Sequence, residues 1–264
     1  TFQMGDSLDA TAHSLPVRTI GLAAFRIEPY DVIYDEPDVG WKAVYDWAVD
    51  AARGANVYDF ENIGTNGSLG IGTNMPVTRV SWYDAVKWLN ARSEKEGLTP
   101  FYYTDSSRTT IYRSGRVNVS NSSVDWNATG YRLPTEAEWE AAARGGLVGK
   151  RYPWGDGDAD KNPEPENANF NMGRAVSVGS YPANGYGLYE MAGNVFQWVW
   201  DWGSEAGYGS YATEPYGPET GSQRVRRGGS YSYGPQFLRC YERMFRDPWY
   251  SAPYFGFRVV RNAP

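Results

Sequence analysis

From Tyr231 to Phe255 the chain sets Tyr231, Tyr233, Phe237, Tyr241, Phe245, Trp249, Tyr250 and Tyr254 among small, charged and turn-forming residues. Neither a helical nor a strand period is sustained across them. The chemistry open to such a stretch is recognition. Tyr and Trp offer large contact area with few rotatable bonds, and neighbours such as Ser232, Gly234 and Asp247 adapt around them, the composition that antibody loops use. A few buried aromatic anchors at about 2 kcal/mol or more each dominate binding of that kind. The stretch is framed by Arg224-Val225-Arg226-Arg227-Gly228-Gly229-Ser230 on one side and Gly256-Phe257-Arg258-Val259-Val260 on the other.

Groups for catalysis are sparse by comparison. The 264 residues include one cysteine, Cys240, and one histidine, His13, so an internal disulfide, a Cys-rich metal site and a His-rich one are all excluded. Asp156, Asp158 and Asp160 are spaced like the start of a calcium loop but lack its glycine and terminal glutamate, and read as a solvated turn. Glu136, Glu138 and Glu140 open a helix, where negative charge suits the macrodipole. The glycine-rich stretch from Gly64 to Gly72 has no Lys-Ser/Thr pair for phosphate and reads as loop. A net charge of −6 excludes a nucleic-acid binder, since Arg224, Arg226 and Arg227 are too few to hold a phosphate backbone. No apolar run reaches the roughly 18 residues of a membrane span. The chain begins Thr1-Phe2-Gln3-Met4, as a mature or trimmed protein does, so an export signal or lipid anchor is expected outside it.

Three helices are expected to position the framed stretch. One runs from Val39 to Arg53 with Gly54 as its stop; a second follows Ser81, with Asp84 three residues on; a third follows Thr135, with Glu138 completing a capping box and Gly145-Gly146 ending it. Phe2-Gln3-Met4, Pro16 to Ile20 and Phe25-Arg26-Ile27 read as short strands, and residues 55–74 and 104–129 as long loops. With 11 Trp, 21 Tyr and 30 Gly, the core is expected to be aromatic and the chain loop-rich. No linker divides it, so residues 1–264 read as one domain.

Gly130-Tyr131-Arg132-Leu133-Pro134-Thr135-Glu136-Ala137-Glu138-Trp139, Tyr152-Pro153-Trp154-Gly155, Asn167-Ala168-Asn169, Asn184-Gly185-Tyr186-Gly187-Leu188-Tyr189, Gly193-Asn194-Val195 with Trp198, Arg227-Gly228-Gly229-Ser230 and Gly256-Phe257-Arg258 resemble, in order, the signatures of the formylglycine-generating enzyme (sulfatase-modifying factor) family. The resemblance implies an α+β, elaborated C-type-lectin fold with few helices, small twisted antiparallel sheets and much irregular loop. Enzymes of the family oxidise a substrate cysteine with two cysteines, and another branch uses iron held by three histidines. Cys240 matches the family's structural cysteine, Tyr233 stands at the first catalytic position, and one histidine cannot build an iron site, so no enzyme activity and no cofactor are expected. Calcium is the one ion the resemblance allows. Asn169 and Asn194 match its ligands, although Gln197 stands where the family commonly has Glu.

A further branch of the family comprises variable proteins of diversity-generating retroelements, in which template adenines are rewritten. Its frame is matched by Gly228-Gly229-Ser230, Leu238-Arg239-Cys240, Arg243, Pro248 and Gly256-Phe257-Arg258. Between these, Ser232, Tyr233, Gly234, Phe237, Phe245, Arg246, Asp247, Tyr250, Ala252 and Tyr254 are reachable from AAY codons, and Glu242, Met244 and Trp249 from AAG. With Tyr231, Gln236 and Tyr241 they form the expected ligand-binding, variable set. Phe255 and Phe257 are expected in the core, and Tyr233, Trp249 and Tyr250 on one exposed patch. The resemblance implies a non-enzymatic receptor on the bacterial cell surface with an unknown protein or glycan ligand. The alternatives are an enzyme or accessory of the family, or an invariant carbohydrate-binding domain.

Overall fold

Capping chemistry places two of the helices where the sequence reads them. Ser81 and Asp84 exchange side-chain and backbone hydrogen bonds at the start of α2 (Trp82–Lys95), and Thr135 and Glu138 do the same for α3 (Glu136–Arg144). Gly145, left-handed at φ 56°, closes α3. The computed structural model describes residues 1–5, 16–67, 72–155, 166–203 and 216–264. His13, the Asp156, Asp158 and Asp160 turn and part of the Gly64 to Gly72 stretch lie outside these.

The first helix is shorter than its periodicity suggests. The run expected from Val39 to Arg53 forms α1 over Trp41–Ala48 only. Val49 leaves the helix, and the Asp50 carboxylate caps the Ala52 N–H to begin a separate 3-10 turn at Ala51–Asn56. Asp50 therefore acts as a start signal inside what looks like one apolar stripe.

Three strand pairs are small: β1 (Phe2–Met4) with β2 (Arg18–Ile20), β3 (Phe25–Ile27) with β10 (Val260–Asn262), and β4 (Thr65–Asn66) with β5 (Val77–Thr78), all antiparallel. The fourth sheet organises the molecule. Its order is β8 (Arg243–Arg246), β7 (Arg224–Arg227), β6 (Phe196–Trp202), β9 (Phe255–Phe257), with β9 parallel to β6 and the other pairs antiparallel.

Period-two alternation divides this sheet between two layers. Phe196, Trp198 and Trp200 of β6 face an aromatic core shared with Trp41, Trp82 and Trp88 of α1 and α2; Gln197, Val199 and Asp201 face α3. The buried indoles find partners, Trp82 Nε1 donating to Val199 O, Trp198 Nε1 to Val80 O and Trp88 Nε1 to Trp41 O. Phe255 stacks on Trp198 at 4.9 Å and Phe257 meets Trp88 edge-on at 5.5 Å, both buried as expected.

Arginines, rather than exposed basic surface, make up the frame around the aromatic stretch. Arg227 pairs with Glu140, Arg243 with Glu136 and Arg132 with Glu138, all buried. Glu136, Glu138 and Glu140 are thus chiefly counter-ions for arginines, and their suitability for the macrodipole is secondary. Arg224 lies between the Trp82 and Trp202 rings at 3.7 and 3.4 Å and donates to the carbonyls of Trp200 and Val119.

Candidate functional site

The stretch between β7 and β9 is pinned by its ends and free along one face. Gly228 and Gly229 take φ 90° and 73°, and a Cβ on Gly229 would meet Leu238 Cδ2 at 2.8 Å and Phe237 O at 2.9 Å, so the turn out of β7 requires glycine. Tyr231 then clamps both ends: its N–H donates to Asn194 O, its carbonyl accepts from Met172 and Gly173, and its hydroxyl donates to Pro253 O at 3.1 Å. A 3-10 turn at Pro235–Leu238 and edge strand β8 follow. The Pro248 carbonyl accepts the Trp82 N–H and the Ala252 carbonyl the Arg79 N–H, fixing the second half to α2 and the turn before it.

An aromatic row crosses the segment, its two halves joined through the buried Phe255. Phe237 meets Tyr233 at 5.2 Å, Tyr233 meets Tyr254 at 5.5 Å, Tyr254 meets Phe255 at 5.3 Å, Phe255 meets Tyr250 at 5.5 Å and Tyr250 meets Trp249 at 6.1 Å. Trp249 is 48% exposed, while Tyr233 and Tyr250 are half-buried against the main core. Ser232 and Gln236 are exposed, and Gly234, Phe237, Glu242, Met244, Arg246, Asp247 and Tyr254 are half-buried.

Several positions fall elsewhere than the sequence places them. Tyr231, Tyr241 and Ala252 are buried: Tyr231 is the clamp, Tyr241 is fully enclosed with its carbonyl held by Arg227, and Ala252 turns inward under its bond from Arg79. Phe245 is half-buried but packs on the α3 side, opposite the aromatic row, because it alternates with Met244 and Arg246. Those four residues, Arg243 to Arg246, form a strand where no strand period is legible. An edge strand with partly covered residues on both faces carries little polar–apolar contrast.

Beneath the row lies a cation that the sequence reading passes over. Arg226 is 2% exposed, directly opposite Met244 in the strand register, with its guanidinium 4.0 Å from the Phe196 ring centroid, 4.7 Å from that of Phe255 and 5.5 Å from that of Tyr233. Its Nε and Nη1 meet no acceptor, Nη2 reaches Met244 Sδ at 3.9 Å, and the Tyr233 phenol is its polar neighbour. Burial pushes the Arg226 guanidinium below its ordinary value, more than contact with Tyr233 restores. The Tyr233 phenol is raised by burial, yet Tyr254 and Arg226 beside it outweigh that and leave it below the ordinary tyrosine value. Alternation along β7 is the signal that could have placed Arg226 on this face.

The model of the sulfatase-modifying factor enzyme 1-like domain matches residues 1–263. The chain belongs to that family. It is 33% identical over 289 aligned positions to a formylglycine-generating enzyme of Streptomyces coelicolor, covering 99% of this chain and 87% of the enzyme. Its structure is similar to that of Treponema denticola variable protein 1, with a TM-score of 0.76 and 27% identity over 99% of this chain and 91% of the other. The crystal structure of CarF is similar too, with a TM-score of 0.71 and 28% identity over 99% and 93% of the two chains. The fold is α+β and C-type-lectin-like, with few helices and small, mostly antiparallel sheets.

Two family features differ in kind here. Cys240, the chain's one cysteine, is buried, and burial pushes its thiol up to about 12, far from the thiolate that cysteine chemistry needs. At the calcium candidates, Asn194 Oδ1 accepts N–H groups from both Asn169, at 3.1 Å, and Val176, at 3.0 Å. Gln197 Oε1 accepts from Trp139 and lies 3.3 Å from Arg258 Nε, its donor on the other side. Oxygens already turned toward N–H donors do not suit a cation, although Asn169 Oδ1 is buried and unpartnered. Among the described residues no group of three or more His, Cys, Asp or Glu side chains is placed to hold a metal, and no helix is long and apolar enough to cross a membrane.

Proposed function

We propose that this chain is a non-enzymatic ligand-binding protein, a single domain whose segment 231–255 is diversified by a retroelement and displayed at the bacterial cell surface to a protein or glycan. The observation that carries this reading is the row of partly exposed aromatics Phe237, Tyr233, Tyr254, Tyr250 and Trp249, packed on the buried Phe255 and hung between strands whose own side chains are locked into the core. Side chains along the row can change while Tyr231, the glycine turn and the buried arginines keep the backbone in place. Likeness across 99% of the chain to a protein named variable protein 1 supports it.

The competing reading, cysteine oxidation, draws on the identity with a formylglycine-generating enzyme. It requires a pair of thiols, and the chain has one cysteine.

The test is to sequence the 3′ end of the gene across isolates and to search the flanking DNA for a near-copy of the part encoding residues 224–261. Substitutions confined to template adenines, at Tyr233, Trp249 and Tyr250 among others, are expected. An invariant end with no template overturns the reading.

A further inference from the structure

Burying an arginine without a counter-ion is costly, because its desolvation goes unrepaid. Arg132, Arg227 and Arg243 each meet a glutamate here, Arg258 donates to the carbonyls of Glu28 and Tyr189, and Arg224 donates to two carbonyls between its tryptophans. Among the described residues Arg226 has no such partner. It rests on ring faces, with Nε and Nη1 unsatisfied and no carboxylate within 4 Å among the described residues.

A second guanidinium stands beside it. Arg246 pairs with Arg224 across the antiparallel register, so it lies diagonally from Arg226 on the same face. It stacks over Tyr250 at 4.6 Å, and its Nε is also buried without an acceptor. The groups facing the two cations are Tyr233, Tyr250, Tyr254, Met244 and the rings of Phe196 and Phe255, none of them anionic. Two cations, phenol hydroxyls and apolar walls are the elements an anion receptor needs, and Tyr233 and Met244 lie against Arg226.

From this we infer that Arg226, with Arg246, is an anchor for an anionic group of the ligand, a carboxylate or a tetrahedral oxyanion such as sulfate or phosphate, roofed by Tyr233 and Met244. The inference rests on the reading above in one respect: Arg226 lies outside segment 231–255, whereas both roof residues lie inside it. Diversification then rewrites the lid and leaves the anchor, so that some variants expose a cation that this one covers. Desolvated guanidinium–anion contacts are strong enough to make such a switch matter.

The experiment follows the arginine Nε–Hε resonances of 15N-labelled protein during titration with sodium glutamate, sodium sulfate or sodium phosphate at constant ionic strength set by chloride. Arg226 is assigned from its contacts to the Phe196 ring and from the resonance lost in Arg226→Lys. In Tyr233→Ala, and independently in Met244→Ala, the Arg226 resonance is expected to move saturably, with an apparent affinity at least tenfold above that of the wild type. Saturation by glutamate alone marks a carboxylate anchor, by sulfate or phosphate alone an oxyanion anchor, and either supports the inference. Linear drift of equal size in folded wild type and both opened variants overturns it. An invariant gene end removes the diversified reading but leaves the anchor standing, and failure to saturate removes the anchor but leaves that reading.

Discussion

Arg227 Nη2 donates to Glu140 Oε2 at 2.6 Å, and neither side chain is reached by solvent. This bond ties β7, the strand from which the aromatic segment departs, to α3. The same guanidinium donates to the carbonyls of Cys240, Tyr241 and Glu242, so one side chain holds the segment's middle as well as its origin.

Removing either partner leaves the other charge buried. Glu140→Gln is expected to lower stability by about 3–5 kcal/mol, read from urea unfolding at neutral pH. Burial raises the Glu140 carboxyl, but Arg227 and Arg144 outweigh it and hold it below its ordinary 4.5. For a lowered carboxyl the stability is complete above the ordinary value and lost as pH falls through the native one. The gap between wild type and Glu140→Gln should therefore narrow below about pH 4.5. A gap that widens in acid contradicts the assignment.

How legible this was in the sequence depends on which forces act. Local signals were sufficient for α2 and α3, because Ser81 with Asp84 and Thr135 with Glu138 are complete capping boxes within four residues. The end of α1 was lost because Asp50 breaks the helix through a local bond that periodicity does not register. The segment itself was found by composition, yet composition could not separate Tyr231 from Tyr233. One is a clamp and the other lies in the row, and the difference comes from Asn194 and Pro253, 37 residues before and 22 after Tyr231 in the chain. Arg226 was hidden for the same reason: its solitude is a property of what surrounds it in space.

Asp31 should make the protein less stable as pH rises. It is 2% exposed, neither carboxylate oxygen accepts a hydrogen bond, Arg258 lies 3.8 Å away, and burial, moderated by Arg258, pushes it up to about 7. A raised carboxyl is neutral in the fold while already ionised in the unfolded chain, so stability falls between its ordinary 3.8 and about 7. Relative to wild type, Asp31→Asn is expected to gain up to about 3 kcal/mol more at pH 8 than at pH 5, at about 1.4 kcal/mol per pH unit. Thermal unfolding at the two pH values decides it, and an equal or opposite difference counts against it.

Asn194 should act as a structural cross-link with no ion involved. It sits at φ 61°, and its amide accepts from Asn169 and Val176 and donates to Val176 O. Asn194→Ala both unpairs buried groups and puts a Cβ-bearing residue without a local polar bond in the left-handed region, for a loss of about 3 kcal/mol. The wild-type melting temperature is expected to be the same in calcium and in EDTA. A rise of several degrees with calcium would mean that the Asn169 and Asn194 side chains turn to a cation.

The last expectation concerns which positions of the segment are free to change. Trp249 and Gln236 reach solvent, Trp249 meeting Arg116 from outside the segment at 6.0 Å, so Trp249→Ser and Gln236→Ala should each alter stability by no more than about 1 kcal/mol. Tyr231 and Tyr241 are enclosed, one with its hydroxyl bonded across the segment, and their replacement by Ser should cost about 3–5 kcal/mol each. Urea unfolding of the four variants gives the comparison directly. Both tyrosine codons contain an adenine, so if the segment is diversified, folded proteins are expected to keep Tyr231 and Tyr241 more often than Tyr233 or Trp249. Finding Tyr231→Ser as mild as Trp249→Ser would return Tyr231 to the variable set and remove the clamp from the account of how the segment is held.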